Sequence, residues 1–410
     1  MIRNELGAIV FHGGRWQLVA APPLVTRSVQ ILGVPLLLAG VVAAGTAHLT
    51  ASHAAAGRAR VARPATSRAV PKTGTLFGVA ATSARSAWSV GQSLSGKSII
   101  LRWNGSAWSQ VPSPTPRGGG AYYAVAATSA SNAWAVGGND SKPFKTLIAH
   151  WDGTSWKQVP SPTPSAGGAL FGVAATSARN AWAVGCAGNC YQGFGHAPQT
   201  LILHWNGTSW KRVTSPSPGP GTSLSAVAAA SASSAWAVGC TRDCFISSAS
   251  PQTVILHWNG QAWKQVASPA GATTGALNGV AATSPGNAWV VGCTGHCFGP
   301  DAAPGTLIAH WNGSTWKKVA APSPAGGSLL TGVATRSAGR AWAVGYTRAS
   351  GKTLILRWNG ASWSRVASPT PAHGGELLGT AIGSPGSAWA VGASDFGNLL
   401  LEHWNGSVWK

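Results

Sequence analysis

Acid is what this sequence has least of: 8 Asp and Glu stand against 29 Lys and Arg in 410 residues, and all charged types together make up 9%. So small a charged fraction excludes long solvent-facing helices laced with ion pairs, which need charge at every turn. It narrows acid–base chemistry as well. Hydrolysis of a glycosidic bond ordinarily takes two carboxyl groups flanking the site. The region from Leu76 onward offers seven acids: Asp140, Asp152, Asp243, Asp301, Glu376, Asp395 and Glu402. Four of them (Asp140, Asp243, Asp301 and Asp395) fall in loops that could meet over one face, but nothing in their spacing requires it. Tyrosine is scarce too, and Tyr122, Tyr123, Tyr191 and Tyr346 stand near no recognisable Glu partner.

Tryptophan is abundant, and it is periodic. Of 22 Trp, all but Trp16 fall in seven copies of one segment, Leu-x-x-Val-Ala…Ala-Trp-Ala-Val-Gly…Leu-Ile-x-His-Trp-Asn-Gly-x-x-Trp. The middle Trp of each copy marks the beat: Trp88, Trp134, Trp182, Trp236, Trp289, Trp342 and Trp389. A period near fifty residues means a solenoid, a propeller or an array. Repeat 3 reads as four strands: Leu170–Thr176 (A), Ala181–Gly185 (B), Thr200–Trp205 (C) and Ser209–Val213 (D). Asn206-Gly207 between C and D suggests a type I′ hairpin, whose two central positions need positive φ. The Pro-rich stretch after Val213 ends the ladder by removing donors. Four short antiparallel strands per repeat predict an all-β, seven-bladed β-propeller over 76–410. Repeat 7 stops at Lys410 with its D strand clipped, and no N-terminal segment announces itself as a replacement.

Residues 1–75 differ in kind. An apolar run, Val29–Ala47, follows Arg27 and precedes small residues. It reads as a secretory signal cut after Ala47 or near Ala54–Ala56, or else as a membrane anchor; residues 1–56 take that role and 57–75 form a basic Pro/Ala-rich linker. Phe11–Trp16 echoes the C–D hairpin of the repeats but carries no structural expectation. Either fate of the apolar run exports the ring, to the extracellular space or the outer face of the cell membrane. The cysteines agree, because Cys186/Cys190, Cys240/Cys244 and Cys293/Cys297 share one spacing just after the Val-Gly of repeats 3, 4 and 5. Local disulfides are expected. A four-Cys zinc site would leave one pair over, so no metal and no cofactor is expected.

The turn Trp-Asn-Gly-x-x-Trp, written Trp151-Asp152-Gly153-Thr154-Ser155-Trp156 in repeat 2, resembles the Asp-box, Ser-x-Asp-x-Gly-x-Thr-Trp, of sialidase-like propellers. The chain is similar in this to secreted bacterial repeat propellers, over 76–410. Asn replaces Asp in six of seven repeats, and one residue before the Gly is missing. Asp-boxes are structural in that family, so the resemblance implies fold and not activity, and no Arg-Ile-Pro segment accompanies it. Tectonin-like lectins, with their Val-Trp-Ala-Val strands, offer a looser likeness.

Several residue sets invite a functional reading. His150, His204, His257, His310 and His403 precede the strand C Trp, but Arg102 and Arg357 take the same place, which disfavours metal ligation. Lys157, Lys211, Arg212, Lys264, Lys317, Lys318 and Arg365 on strand D give a basic rim suited to polyanions, with no motif for specific nucleic-acid recognition. The A–B and C–D turns are nearly uniform. The B–C loops are short in repeats 1, 2, 6 and 7 and run to 13 or 14 residues in repeats 3–5, each with a Cys pair and an aromatic. Long variable loops on a rigid scaffold are where binding resides. A ligand site is therefore expected over blades 3–5, lined by Tyr191, Phe194, His196, Arg242, Phe245, His296 and Phe298. The expected function is a monomeric binding or scaffold propeller for a glycan or an anionic wall polymer, with a sialidase-like glycan-cleaving enzyme as the alternative.

Overall fold

A computed structural model describes residues 68–141, 143–190, 197–242, 251–297 and 303–410, with the backbone of 8–12 and 15–19. The apolar run Val29–Ala47 and its candidate cut sites lie outside the described residues. Ala8–His12 and Arg15–Val19, where the sequence carried no structural expectation, pair as a two-stranded sheet.

Each repeat folds into its own antiparallel sheet, in the order A-B-C-D in blades 1–6 and A-B-C in blade 7. In blade 3 the strands are Gly168–Ser177, Asn180–Ala187, Gln199–Trp205 and Trp210–Val213. The A strands of successive blades abut in an unbroken circle, blade 7 meeting blade 1, so strand A is innermost and strand D outermost. No helix occurs among the described residues. This is the seven-bladed propeller that the repeat predicts.

The C–D turn differs from its expected form. Only its Gly has positive φ, as at Gly207 (97°), while no turn Asn does. The Asn side chain organises the turn instead: Asn206 Oδ1 accepts from the Thr208 and Ser209 backbone N–H groups, both at 3.0 Å, and from the Thr208 hydroxyl at 2.8 Å. Such an Asx turn needs an acceptor and not a positive φ, which is why Asp152 serves equally well.

The blades are joined by tryptophan. The strand B Trp of each blade packs against the strand C and strand D Trp of the next. Trp182 lies 4.9 Å from Trp258 and 5.2 Å, edge to face, from Trp263. The same triad recurs at every junction, and Trp389 closes the circle on Trp103 (4.8 Å) and Trp108 (4.9 Å) of blade 1. Aromatic pairs in these geometries contribute about 0.5–1.5 kcal/mol each beyond the area they bury. The residue before each strand C Trp stacks on the same ring: His204 lies 4.2 Å from Trp182, and Arg102 lies 5.3 Å above Trp88. A flat cation and an imidazole are interchangeable there, which explains how Arg stands in for His. Burial lowers the pKa of all five of these histidines.

The clipped blade is completed from upstream. Blade 7 has three strands, Gly375–Ser384, Ser387–Ser394 and Leu399–Trp404, and its fourth is reduced to a bridge between Trp404 and Trp409. Elsewhere the strand D Val fills the blade junction, as Val159, Val213, Val266, Val319 and Val366 do. At the junction of blades 7 and 1 that place is taken by Val70, beside Leu399, Leu401, Trp103 and Trp108. Hydrogen bonds from Gly74 N to Gly397 O (2.7 Å) and from Leu399 N to Lys72 O (3.1 Å) hold the segment there.

One residue breaks the apolar pattern of the junctions. Glu402 occupies the strand C position held by Leu101, Leu203, Leu256 and Leu356 in other blades, is 4% exposed, and neither of its oxygens has a hydrogen-bond partner. Burial raises its pKa from 4.5 to about 8. A carboxyl raised in the fold contributes stability that is fully present below its unfolded pKa and is lost as pH rises through the folded one. Glu402→Leu should therefore raise Tm, with a gain that grows from pH 5 to pH 9 and reaches a few kcal/mol at the alkaline end. Equal gains at both pH values in thermal scans would show that Glu402 does not titrate in the fold. Trp236, fully buried against Trp311 and Trp316, gives a second measurement. Trp236→Ala should cost roughly 3–5 kcal/mol in urea unfolding, and a loss below about 1 kcal/mol would mean that the triads do not bind the blades together.

Candidate functional site

The two faces of the disc are built differently. On the A–B/C–D face the strand C indole N–H donates to an A–B turn carbonyl, as from Trp205 to Ala178 (3.0 Å) and from Trp258 to Ala232 (3.1 Å). The turns of blades 1–6 are each tied down by the same bond, which leaves little room for variation. On the B–C/D–A face the start of blades 1–3 and 5–7 is bonded to the loop of the one before, as from Gly168 N to Phe144 O (2.9 Å) and from Gly275 N to Pro251 O (2.8 Å). The varied B–C loops begin at that stitched rim.

Of the residues expected to line a site, Tyr191, Phe194, His196, Phe245 and Phe298 lie outside the described residues. Arg242 and His296 are described, and both are exposed at the first turn of neighbouring B–C loops. Arg242 adopts φ 60°, the left-handed region, and its N–H donates to Pro220 O at 3.0 Å. His296 sits between Gly295 (φ 73°) and Cys297.

Disulfides join Cys186 to Cys190 and Cys293 to Cys297, with Cα separations of 5.9 and 5.7 Å. Cys244, the expected partner of Cys240, lies outside the described residues. Cys240, Cys293 and Cys297 pack together with Ala276, Leu329 and Tyr346, and Cys186 and Cys190 pack with Ala169 and Phe171. The sulfurs thus fill the junctions under the rim and also close the loops. Tyr346 takes in blade 6 the register position of the first Cys, opposite Thr353 as Cys293 is opposite Thr306.

No motif or spacing marks an acidic neighbour for Tyr346, yet the fold brings Glu376 of blade 7 within electrostatic range of it. Burial, then the charge of Asp395, raises Glu376 from 4.5 to about 7. Burial, then Glu376, raises the Tyr346 phenol. The two lie thirty residues apart, and only the closure of blade 6 on blade 7 makes them neighbours. Asp140 and Asp395 stand over the glycines at the start of their own blades. A Cβ at Gly119 would come within 2.7 Å of Asp140 Oδ2, and Gly374 leaves even less room beside Asp395. Burial raises the pKa of Asp140. No cluster of potential metal ligands occurs among the described residues. Each of the five histidines preceding the strand C Trp bonds through Nε2 to a side chain at the start of strand B, as His150 does to Asn132 (2.7 Å) and His403 to Ser387 (2.9 Å).

No family model matches this chain, and no curated protein matches it in sequence. Its backbone is similar to solved propellers. A structure of YCF48 bound to D1 peptide shares 15% identity with it, covering 83% of this chain and 96% of that one, with a TM-score of 0.51. YCF48 from Cyanidioschyzon merolae shares 15% over 83% of this chain and 98% of its own, with a TM-score of 0.50. BP39L lectin from Burkholderia pseudomallei shares 13% over the same fractions, also at 0.50. At such identities the likeness is one of fold.

Peptide mapping without reductant should recover Cys186–Cys190, Cys240–Cys244 and Cys293–Cys297 with no free thiol. Stoichiometric zinc in the purified protein would show instead that these loops are held by metal.

Proposed function

We propose that this chain is an exported binding module whose ligand is a carbohydrate or an anionic wall polymer, taken on the B–C/D–A face over blades 3–5. One observation carries this most: seven nearly identical blades depart from one another chiefly in their B–C loops, and the long ones belong to three successive blades and begin at cysteines packed into the rim. A rigid ring with one varied sector suits recognition, because loops held in place lose little entropy on binding. BP39L, a propeller of the same fold, is a lectin. Export is supported by the local disulfides, which persist in oxidising compartments, and by the signal or anchor read in Val29–Ala47. Exposed Lys157, Lys211, Lys264 and Lys317 on the D strands would draw an anionic polymer toward the disc.

The wild-type protein should bind on a glycan array that includes anionic wall polymers. A variant whose blade 3–5 loops are cut to the length of the blade 6 loop should lose that binding while its Tm stays within a few degrees. Binding that survives the shortening would remove the site from those loops. A second reading, glycoside cleavage, draws on the half-buried Glu376 and its neighbours Tyr346 and Asp395. Turnover of a fluorogenic glycoside panel without stable array binding would put that reading first.

A further inference from the structure

Strand A carries a bulge at the same place in all seven blades. In blade 3 Leu170 faces Gly185 and Gly172 faces Val184, so that Phe171 is the extra residue of the bulge. The residue so displaced is Phe77 in blade 1, Tyr123 in blade 2 and Phe171 in blade 3. In blades 4–7 it is Ser225, Asn278, Thr331 and Leu378. All seven are partly exposed on the innermost strand, whose open side is the axial channel. Just beyond the bulge the backbones crowd: a Cβ at Gly172 would meet the Ala226 Cα at 2.8 Å, and one at Gly379 would meet the Gly78 Cα at 3.1 Å. The ring of seven displaced side chains is thus fixed by close backbone packing.

That ring is not seven-fold. Its first three members are aromatic and touch in sequence, Phe77 to Tyr123 at 5.2 Å edge to face and Tyr123 to Phe171 at 5.6 Å. On the opposite arc Asn278 and Thr331 reach forward to the next blade, donating to Leu330 O (2.9 Å) and Leu377 O (2.6 Å). Packing does not require aromatics here, since Ser225 fills the same place in blade 4. Three adjacent rings part-exposed to water carry a hydrophobic cost that a ligand would relieve. Phe171 is backed by Ala169 and the Cys186–Cys190 disulfide, so the arc is held in place before any ligand arrives.

We propose that Phe77, Tyr123 and Phe171 form a stacking platform at the axial channel for one pyranose ring of a neutral glycan, faced by the polar arc at Ser225 and Asn278. The proposal rests on the carbohydrate reading and gives it a site outside the B–C loops. A pyranose has C–H-rich faces that meet the negative face of an aromatic ring and an equator of hydroxyls that needs donors and acceptors. An arc of rings opposite an arc of hydroxyl and amide groups offers both. Asn278 engages its amide nitrogen within the fold and keeps its carbonyl oxygen as an acceptor.

Saturation-transfer NMR on the whole protein with the methyl glycosides of glucose, galactose, mannose and fucose tests this. At least one should receive transfer, strongest at its ring C–H protons. Phe171→Ala and Tyr123→Ala should each weaken that glycoside roughly two- to tenfold at unchanged Tm. Ser225→Trp, which leaves the platform intact and fills the channel, should abolish binding, and it decides alone if removing a ring unfolds the protein. Wild-type binding that all three variants retain would overturn the channel site and leave the carbohydrate reading standing. A wild type that takes up no transfer from any of the four glycosides would overturn the channel site as well, while the carbohydrate reading is decided by the array.

Discussion

A buried strand B indole held between two indoles of the next blade is the interaction on which everything else depends. Because the triad joins blade to blade, it cannot be satisfied within one repeat. A repeat alone would expose its Trp to water on one side and lack a partner on the other. Only a closed circle satisfies all seven, and Trp389 against Trp103 and Trp108 is the contact that closes it. Small residues on strands A and B bring the sheets close enough for the large rings further out to interlock. The wedge is thus set by residue size: crowded glycine backbone at the axis, indole pairs toward the rim.

The demand for closure also accounts for Val70. Without a full strand D in blade 7, the last junction would lack the Val that every other junction has. The upstream segment supplies it with a Val-Pro pair like the Val111-Pro112 that ends strand D of blade 1. This was not legible in the sequence, because two residues carry the match and a basic linker surrounds them. The blade itself was legible, since Trp spacing and strand alternation are properties of one repeat. The C–D turn lies where the Asn-Gly pair predicts it, with a different geometry. Asn-Gly is a signal shared by the type I′ turn and the Asx turn, and Asp152 was the clue that a side-chain acceptor mattered more than φ.

Features of the candidate site divide along the same line. The Cys pairs and the long B–C loops could be found because they interrupt a repeat. Tyr346 and Glu376 could not, because their proximity is made by the seam between two blades. The bulged residues lay in plain view between an apolar residue and Gly-Val or Ala-Val, as in Leu170-Phe171-Gly172-Val173. Strand periodicity assigns every second residue to a face, and a bulge sets one residue outside that alternation. Variation at a single position inside an otherwise uniform repeat was the available sign, and it becomes meaningful only once strand A is known to be innermost.

Charge completes the division of labour between rim and core. Three of the described acids add little to the surface field. Glu402 is buried uncharged below about pH 8, Glu376 is raised to about 7, and Asp152 is bound by Lys157 at 2.7 Å. The cations on strand D stay exposed, so the rim is more basic than the composition suggests. Those same side chains guard the outer strand edges, where a Lys discourages another chain from adding to the sheet. A basic rim therefore serves the architecture whether or not an anionic ligand exists. Specificity must then come from elements the architecture leaves free: the B–C loops above the disc and the displaced side chains around its axis.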